Sequence, residues 1–197
     1  MCGRFTFEMT WAEIHALYSI HDRKPPSSNF EPRYNIAPTQ DVFFIRLDRA
    51  GNRELDRGRW WLVPHWAKEI PKATLFNARI ETIGVTPAYR DAFKSRRCLI
   101  PADGYFEWTV NDEDGRKDPW LLQLPEGKGF SFAGLWAHND KHGITSCSIV
   151  TAPAVPQIKH IHDRMPIILD EDAYDAWLAP ETSGAAAKAA LIEKEID

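Results

Sequence analysis

The chain's 197 residues are 44% hydrophobic and 26% charged, a composition that suits one folded domain and excludes wholesale disorder. It holds no apolar run near the roughly 20 residues that span a bilayer and no N-terminal stretch of signal-peptide length, so a cytosolic protein with reduced thiols is expected. The net charge of −4 is uneven: residues 1–110 carry 16 Lys+Arg against 13 Asp+Glu and residues 111–197 carry 8 against 15, so basic potential must come from a local patch on the first half.

Thr10-x-x-Glu13 has capping-box spacing, and Trp11, Ile14, Leu17 and Tyr18 follow at helical period, predicting a short helix that ends before Lys24-Pro25-Pro26-Ser27-Ser28. Strand patterns come next at Val42–Leu47 and Trp60–Val63. Thr86-Pro87 reads as an N-cap followed by proline at the first helical position, opening a helix that buries Ala88, Tyr89, Ala92 and Phe93. Further strands are predicted at Cys98–Ile100, Gly104–Val110, Trp120–Leu124, Phe130–Trp136, Ser146–Thr151 and Ile167–Leu169. Helices are expected over Asp170–Leu178 and Thr182–Ile196, the latter an acidic, Ala-rich helix or tail (181–197) following a single domain over 1–180. Connections such as Asn111–Gly115, Pro125–Gly129 and His138–Gly143 are too short for parallel crossovers. The expected fold class is therefore α+β, with mixed, mainly antiparallel sheets forming an open barrel-like core flanked by short helices. Within Gly104–Val110, Tyr105, Glu107 and Thr109 share one face and Phe106, Trp108 and Val110 the other. If the Phe/Trp face is core, Glu107 looks into a cleft.

The three cysteines, Cys2, Cys98 and Cys147, are an odd number without C-x-x-C spacing, which argues against a disulfide framework or a cysteine-built zinc site. Cys98 and Cys147 sit in predicted buried strands and read as small core residues. Cys2 differs, because loss of Met1 makes it an N-terminal residue with an α-amine and a thiol on adjacent carbons. The amine titrates near ~7.7–8.0 and the thiol near ~8.5, so both are expected to be nucleophilic near neutral pH. Together they condense with an aldehyde, first to an imine and then to a five-membered thiazolidine.

Met1-Cys2-Gly3-Arg4-Phe5, Tyr34–Thr39 (YNIAPT), Phe76–Thr82 (FNARIET), Arg97–Trp108 (RCLIPADGYFEW), Ile149–Ala152 (IVTA) and Ile161–Pro166 (IHDRMP) stand in this order along the chain. Together they resemble the SOS response-associated peptidase (SRAP) family from residue 2 to about 178. The resemblance implies the SRAP fold and an enzyme that captures abasic sites in single-stranded DNA as a covalent thiazolidine through Cys2. Abasic-site lyase activity is a branch of the same imine, and the peptidase label concerns release of Met1. It further implies catalytic roles for Cys2, Asn77, Glu107 and His162, and DNA contacts by Arg4, Pro38, Trp66, Arg79, Thr151 and Arg164. It implies no cofactor, no metal and no membrane partner, and a monomer suffices.

Read from the residues alone, other roles stay open. Glu107 could pair with Arg97 or Arg79, and Asn77 could be a turn residue. His160-x-His162 could suggest a metal, though no third ligand stands in register. Two other activities also compete: a cysteine hydrolase using Cys2, and a non-catalytic single-stranded DNA module.

Overall fold

The computed structural model describes residues 2–20, 29–182 and 186. The Lys24–Ser28 linker, and all of the helix expected over Thr182–Ile196 except Thr182 and Ala186, lie outside them.

Twelve strands and three helices are described: β1 (Phe5–Phe7), α1 (Trp11–Tyr18), β2 (Arg33–Ile36), β3 (Asp41–Leu47), β4 (Arg53–Trp60), β5 (Asn77–Arg79), α2 (Arg90–Ser95), β6 (Arg97–Ala102), β7 (Gly104–Val110), β8 (Lys117–Leu122), β9 (Phe130–Asn139), β10 (Ile144–Pro153), β11 (Arg164–Pro166), β12 (Ile168–Leu169) and α3 (Tyr174–Leu178). A four-stranded antiparallel sheet runs β2-β1-β7-β8. In the larger sheet, the pairings β3–β4, β4–β10, β10–β9, β9–β6 and β6–β3 return to their start, with β5, β11 and β12 attached. Two seams of that circuit are thin: Ile45↔Leu99 joins β3 to β6, and two parallel pairs join β4 to β10. The result is a barrel-like core that is open along those seams.

Each helix end has a local cause. Thr10 Oγ1 accepts the Glu13 N–H at 3.3 Å while the Glu13 carboxylate accepts from the Thr10 backbone at 2.7 Å, so the capping box forms. Ser19 then ends α1 in the left-handed region, at φ 50°. α2 starts at Arg90, later than Thr86-Pro87 predicted, because residues 86–89 form turns bonded back to Thr82 and Thr86. Buried Arg97 ties α2 and α3 to the barrel: its guanidinium donates to the carbonyls of Phe93 (2.7 Å), Lys94 (3.2 Å), Trp177 (2.5 Å), Thr182 (3.0 Å) and Ala179.

The core lies between the two sheets. Phe5 packs edge-on to Trp60 (5.0 Å between centroids) and Phe132 (5.7 Å). Tyr105 is edge-on to Phe132 at 6.1 Å, so the Tyr105/Glu107 face of β7 is the inward one. Phe106 and Trp108 are only half-buried, so of the two faces alternation offers, theirs is not the core face.

Candidate active site

Strand β1 carries Cys2 into the core. Phe5 pairs with Tyr105 and Thr6 with Gly104, and the Phe106 N–H donates to the Arg4 carbonyl at 2.9 Å. Continued toward the N-terminus, this antiparallel register brings the chain to the level of Glu107. Gly104 suits the tight spot, since a Cβ there would stand 3.2 Å from the Leu122 carbonyl oxygen and closer still to two side chains. Cys2 is fully buried, its thiol 3.9 Å from the Arg4 carbonyl, and Tyr105 and Glu107 are each 3% exposed. Burial first, and Glu107 second, push the Cys2 thiol well above its usual range. Burial, then Cys2 and Glu107, do the same to the Tyr105 hydroxyl. In the folded chain burial thus disfavours the thiolate, and the thiol must hand its proton to an acceptor as it reacts.

The opposite wall is β5, which runs parallel to β10 with Asn77 beside Ile149 and Arg79 beside Thr151. Asn77 Nδ2 donates to the Cys2 carbonyl at 2.9 Å, and the Tyr89 hydroxyl steadies the strand by donating to the Asn77 carbonyl at 3.0 Å. Asn77 Oδ1 is buried without a hydrogen-bond partner. Arg79, two residues along on the same strand face, is exposed.

His162 belongs to the 154–163 turn segment and is half-buried. Its Nδ1 accepts the Arg164 N–H at 2.9 Å, which leaves the proton of the neutral ring on Nε2. The Asp163 carboxylate lies 3.0 Å from the same Nδ1. The segment meets β8 where His160 stands edge-on to Trp120, 6.2 Å between centroids. Trp120 pairs with Glu107 across the β7–β8 hairpin and donates to Thr109 Oγ1 at 2.9 Å. Sequence reasoning missed Trp120; hairpin register opposite Glu107 was the signal that could have found it.

The expected DNA contacts divide into three. Arg79, Trp66 (53% exposed) and the half-buried Pro38 face outward. Trp66 sits on a loop that fully buried Asn139 holds, donating to the carbonyls of Pro64 (2.8 Å) and Ala67 (3.0 Å). Arg4 is half-buried and donates to the Gly3 carbonyl at 3.3 Å. Arg164 is turned inward: it forks onto Glu81 at 2.5 and 3.0 Å and donates to the carbonyl of buried Thr151 at 2.8 Å. A cavity of about 700 Å³ between Leu47–Arg53 and Asp175–Glu181 touches none of these residues. Among the described residues, no group of three or more His, Cys, Asp or Glu is placed to hold a metal ion, and no helix is long and apolar enough to cross a membrane.

Comparison with known proteins gives a consistent result. The sequence profile described as SOS response associated peptidase (SRAP) matches residues 1–196. Abasic site processing protein YoaM of Bacillus subtilis (strain 168) is 38% identical over 187 residues, covering 93% of this chain and 81% of that protein. Abasic site processing protein YedK of Escherichia coli (strain K12) is 31% identical, with 93% and 82% covered. A crystal structure of a Bordetella bronchiseptica protein superposes with a TM-score of 0.82 at 25% identity, covering 100% of this chain and 96% of that one.

Proposed function

Because the chain belongs to the SOS response associated peptidase family, we propose that it processes abasic sites by trapping their ring-opened sugar in single-stranded DNA as a covalent adduct of Cys2. The observation that carries this reading is the placement of Cys2 between Asn77, which donates to its carbonyl, and Glu107, which bears electrostatically on its thiol.

Release of Met1 frees the α-amine. The amine adds to the sugar aldehyde, and loss of water gives the imine. The thiol then adds to the imine carbon, its proton passing by way of Glu107 to the imine nitrogen, and the thiazolidine closes with one water lost overall. Asn77 fixes the Cys2 carbonyl and so the direction of the amine; its Oδ1 is an acceptor for the amine or for a sugar hydroxyl. His162 presents Nε2–H as a donor to the sugar or its phosphate during ring opening. Arg79 and Arg4 take flanking phosphates, Trp66 stacks on a base and Pro38 wedges beside it. Arg164 and Thr151 act from behind, holding the strands that carry Arg79. β-Elimination from the same imine cleaves the strand instead, which is the lyase branch.

The test is a denaturing gel of protein incubated with abasic single-stranded DNA. A band shift is expected for wild type and Cys98→Ala and is lost in Cys2→Ala. An adduct that survives Cys2→Ala refutes the proposal, and DNA binding with no adduct in any variant leaves the non-catalytic module.

A further inference from the structure

A second basic feature lies one loop away from Asn77. The β3–β4 register pairs Asp41 with Arg59 and Phe43 with Arg57, so Arg57 and Arg59 share a strand face. Arg33, on the edge strand of the smaller sheet, donates to the Asp41 carbonyl at 2.6 Å and to Gln40 Oε1 at 2.9 Å. The Arg57 side chain is 64% exposed and meets the Asp41 carboxylate only loosely, at 3.5 Å. The Nε of Arg59 is buried with no hydrogen-bond partner. Arg57, Arg59, Thr39, Asp41, Gly58, Gly143 and the first two residues of β10 line a cleft of about 380 Å³. Gly58 lets β4 approach β10: a Cβ there would lie 2.7 Å from the Thr145 carbonyl oxygen.

Three observations point to an anion. Three arginines stand around Asp41: Arg57 loosely on its carboxylate, Arg33 on its backbone carbonyl and Arg59 opposite it in strand register. Arg33 holds its proton less firmly than an ordinary arginine, first through burial and then through repulsion from Arg57. A buried guanidinium N–H lacks the partner such donors almost always have.

Continuity with the Cys2 pocket says which anion. The Thr39 N–H donates to the Trp60 carbonyl at 2.9 Å and the Trp60 N–H to the Gln40 carbonyl at 2.8 Å. The Trp60 indole donates to the carbonyl of Phe76, next to Asn77, at 2.9 Å. Thr39 itself sits at φ 79°, a region a β-branched residue rarely adopts, so the turn displaying Pro38 is held against strain. The Pro38 turn is thus tied through Trp60 both to the cleft and to the strand that carries Asn77.

We propose that this cleft binds the sugar–phosphate backbone on one side of the lesion, Arg57 and Arg59 each taking a phosphate while Arg33 holds the adjoining turn through Gln40 and the Asp41 carbonyl. The proposal rests on the abasic-site reading, but its salt-slope arm uses undamaged DNA, so the two fail separately. Binding of fluorescent single-stranded DNA is measured by anisotropy across a salt series for wild type, Arg57→Gln and Arg57→Gln/Arg59→Gln. Each lost phosphate contact lowers the log–log salt slope by about 0.7 on a single strand, so the double variant should fall by about 1.4. Arg57→Lys/Arg59→Lys keeps the charge and should restore the slope. If the double variant fails to fold, Arg57→Gln alone should still lose about 0.7. Oligonucleotides that carry an unreactive tetrahydrofuran abasic analogue, lengthened one nucleotide at a time on either side of it, supply the second arm. Wild type should gain affinity from lengthening on one side only, and the Gln variants should lose that gain. Unchanged slopes, or a loss indifferent to flank length, overturn the proposal. Thermal stabilisation by inorganic phosphate that requires Arg59, without any flank dependence, also overturns it and leaves a small-anion site.

Discussion

Raising the pH should destabilise this protein earlier and more steeply than its net charge suggests. Cys2, Cys98 and Cys147 are all free and fully buried, and burial is the first cause raising each thiol above its ordinary value. The folded state thus keeps three protons that the unfolded chain releases above ~8.5. Stability falls wherever the unfolded state binds fewer protons, so it is intact below ~8.5 and declines as pH rises toward the raised native values. By pH ~9.5 each thiol contributes a loss of about 1.4 kcal/mol, or about 4 kcal/mol for the three. That is a large share of the ~5–15 kcal/mol that holds a domain together. Urea unfolding followed by tryptophan fluorescence at pH 7.5, 8.5 and 9.5 reads it directly. Cys147→Ala should flatten the pH dependence by about a third while adding its own cavity cost at neutral pH. A loss below ~1 kcal/mol between pH 7.5 and 9.5 would refute the reasoning, because it would mean the thiols ionise as easily folded as unfolded.

Glu107→Gln should slow adduct formation by about 10²-fold or more while single-stranded DNA affinity stays within twofold, measured by quenched-flow gels and anisotropy. Trp66→Ala should weaken binding by about 1–3 kcal/mol, the worth of one stacked base, with the melting temperature nearly unchanged. Arg79→Ala should lower the salt slope by about 0.7, whereas Arg164→Ala should leave the slope alone and lower the melting temperature. Arg97→Met leaves several carbonyls of α2 and α3 unpaired and should cost about 3 kcal/mol or more in urea unfolding.

The parts of the fold legible in the sequence are those with local causes. The capping box fixed the start of α1, and β7 was read residue for residue because Gly104 and the 111–115 turn bound it. β9 and β10 were recognised but run longer, to Asn139 and from Ile144, since a two-stranded ladder continues until its turn. β4 was misplaced: its polar stretch RELDRGR is a strand by virtue of its neighbours β3 and β10, and it ends at Trp60, where a strand had been expected to begin. β1, β2 and β5 are three or four residues long and owe their existence to pairing with distant strands. The inward turn of Glu107 could not be read from alternation, which offers two faces and does not say which one meets the second sheet. The same gap hid Trp120, and Arg164 looked free because its partner Glu81 stands far away in sequence.

Intact-protein mass spectrometry of the protein before and after incubation with an abasic oligonucleotide tests the central claim most directly. The account predicts a protein lacking Met1 and an adduct whose mass is the sum of both partners less one water. That adduct should form without a reductant and resist competing amines, as a closed ring does and a bare imine does not. A protein that retains Met1, or an adduct that can be trapped only by borohydride, would contradict it.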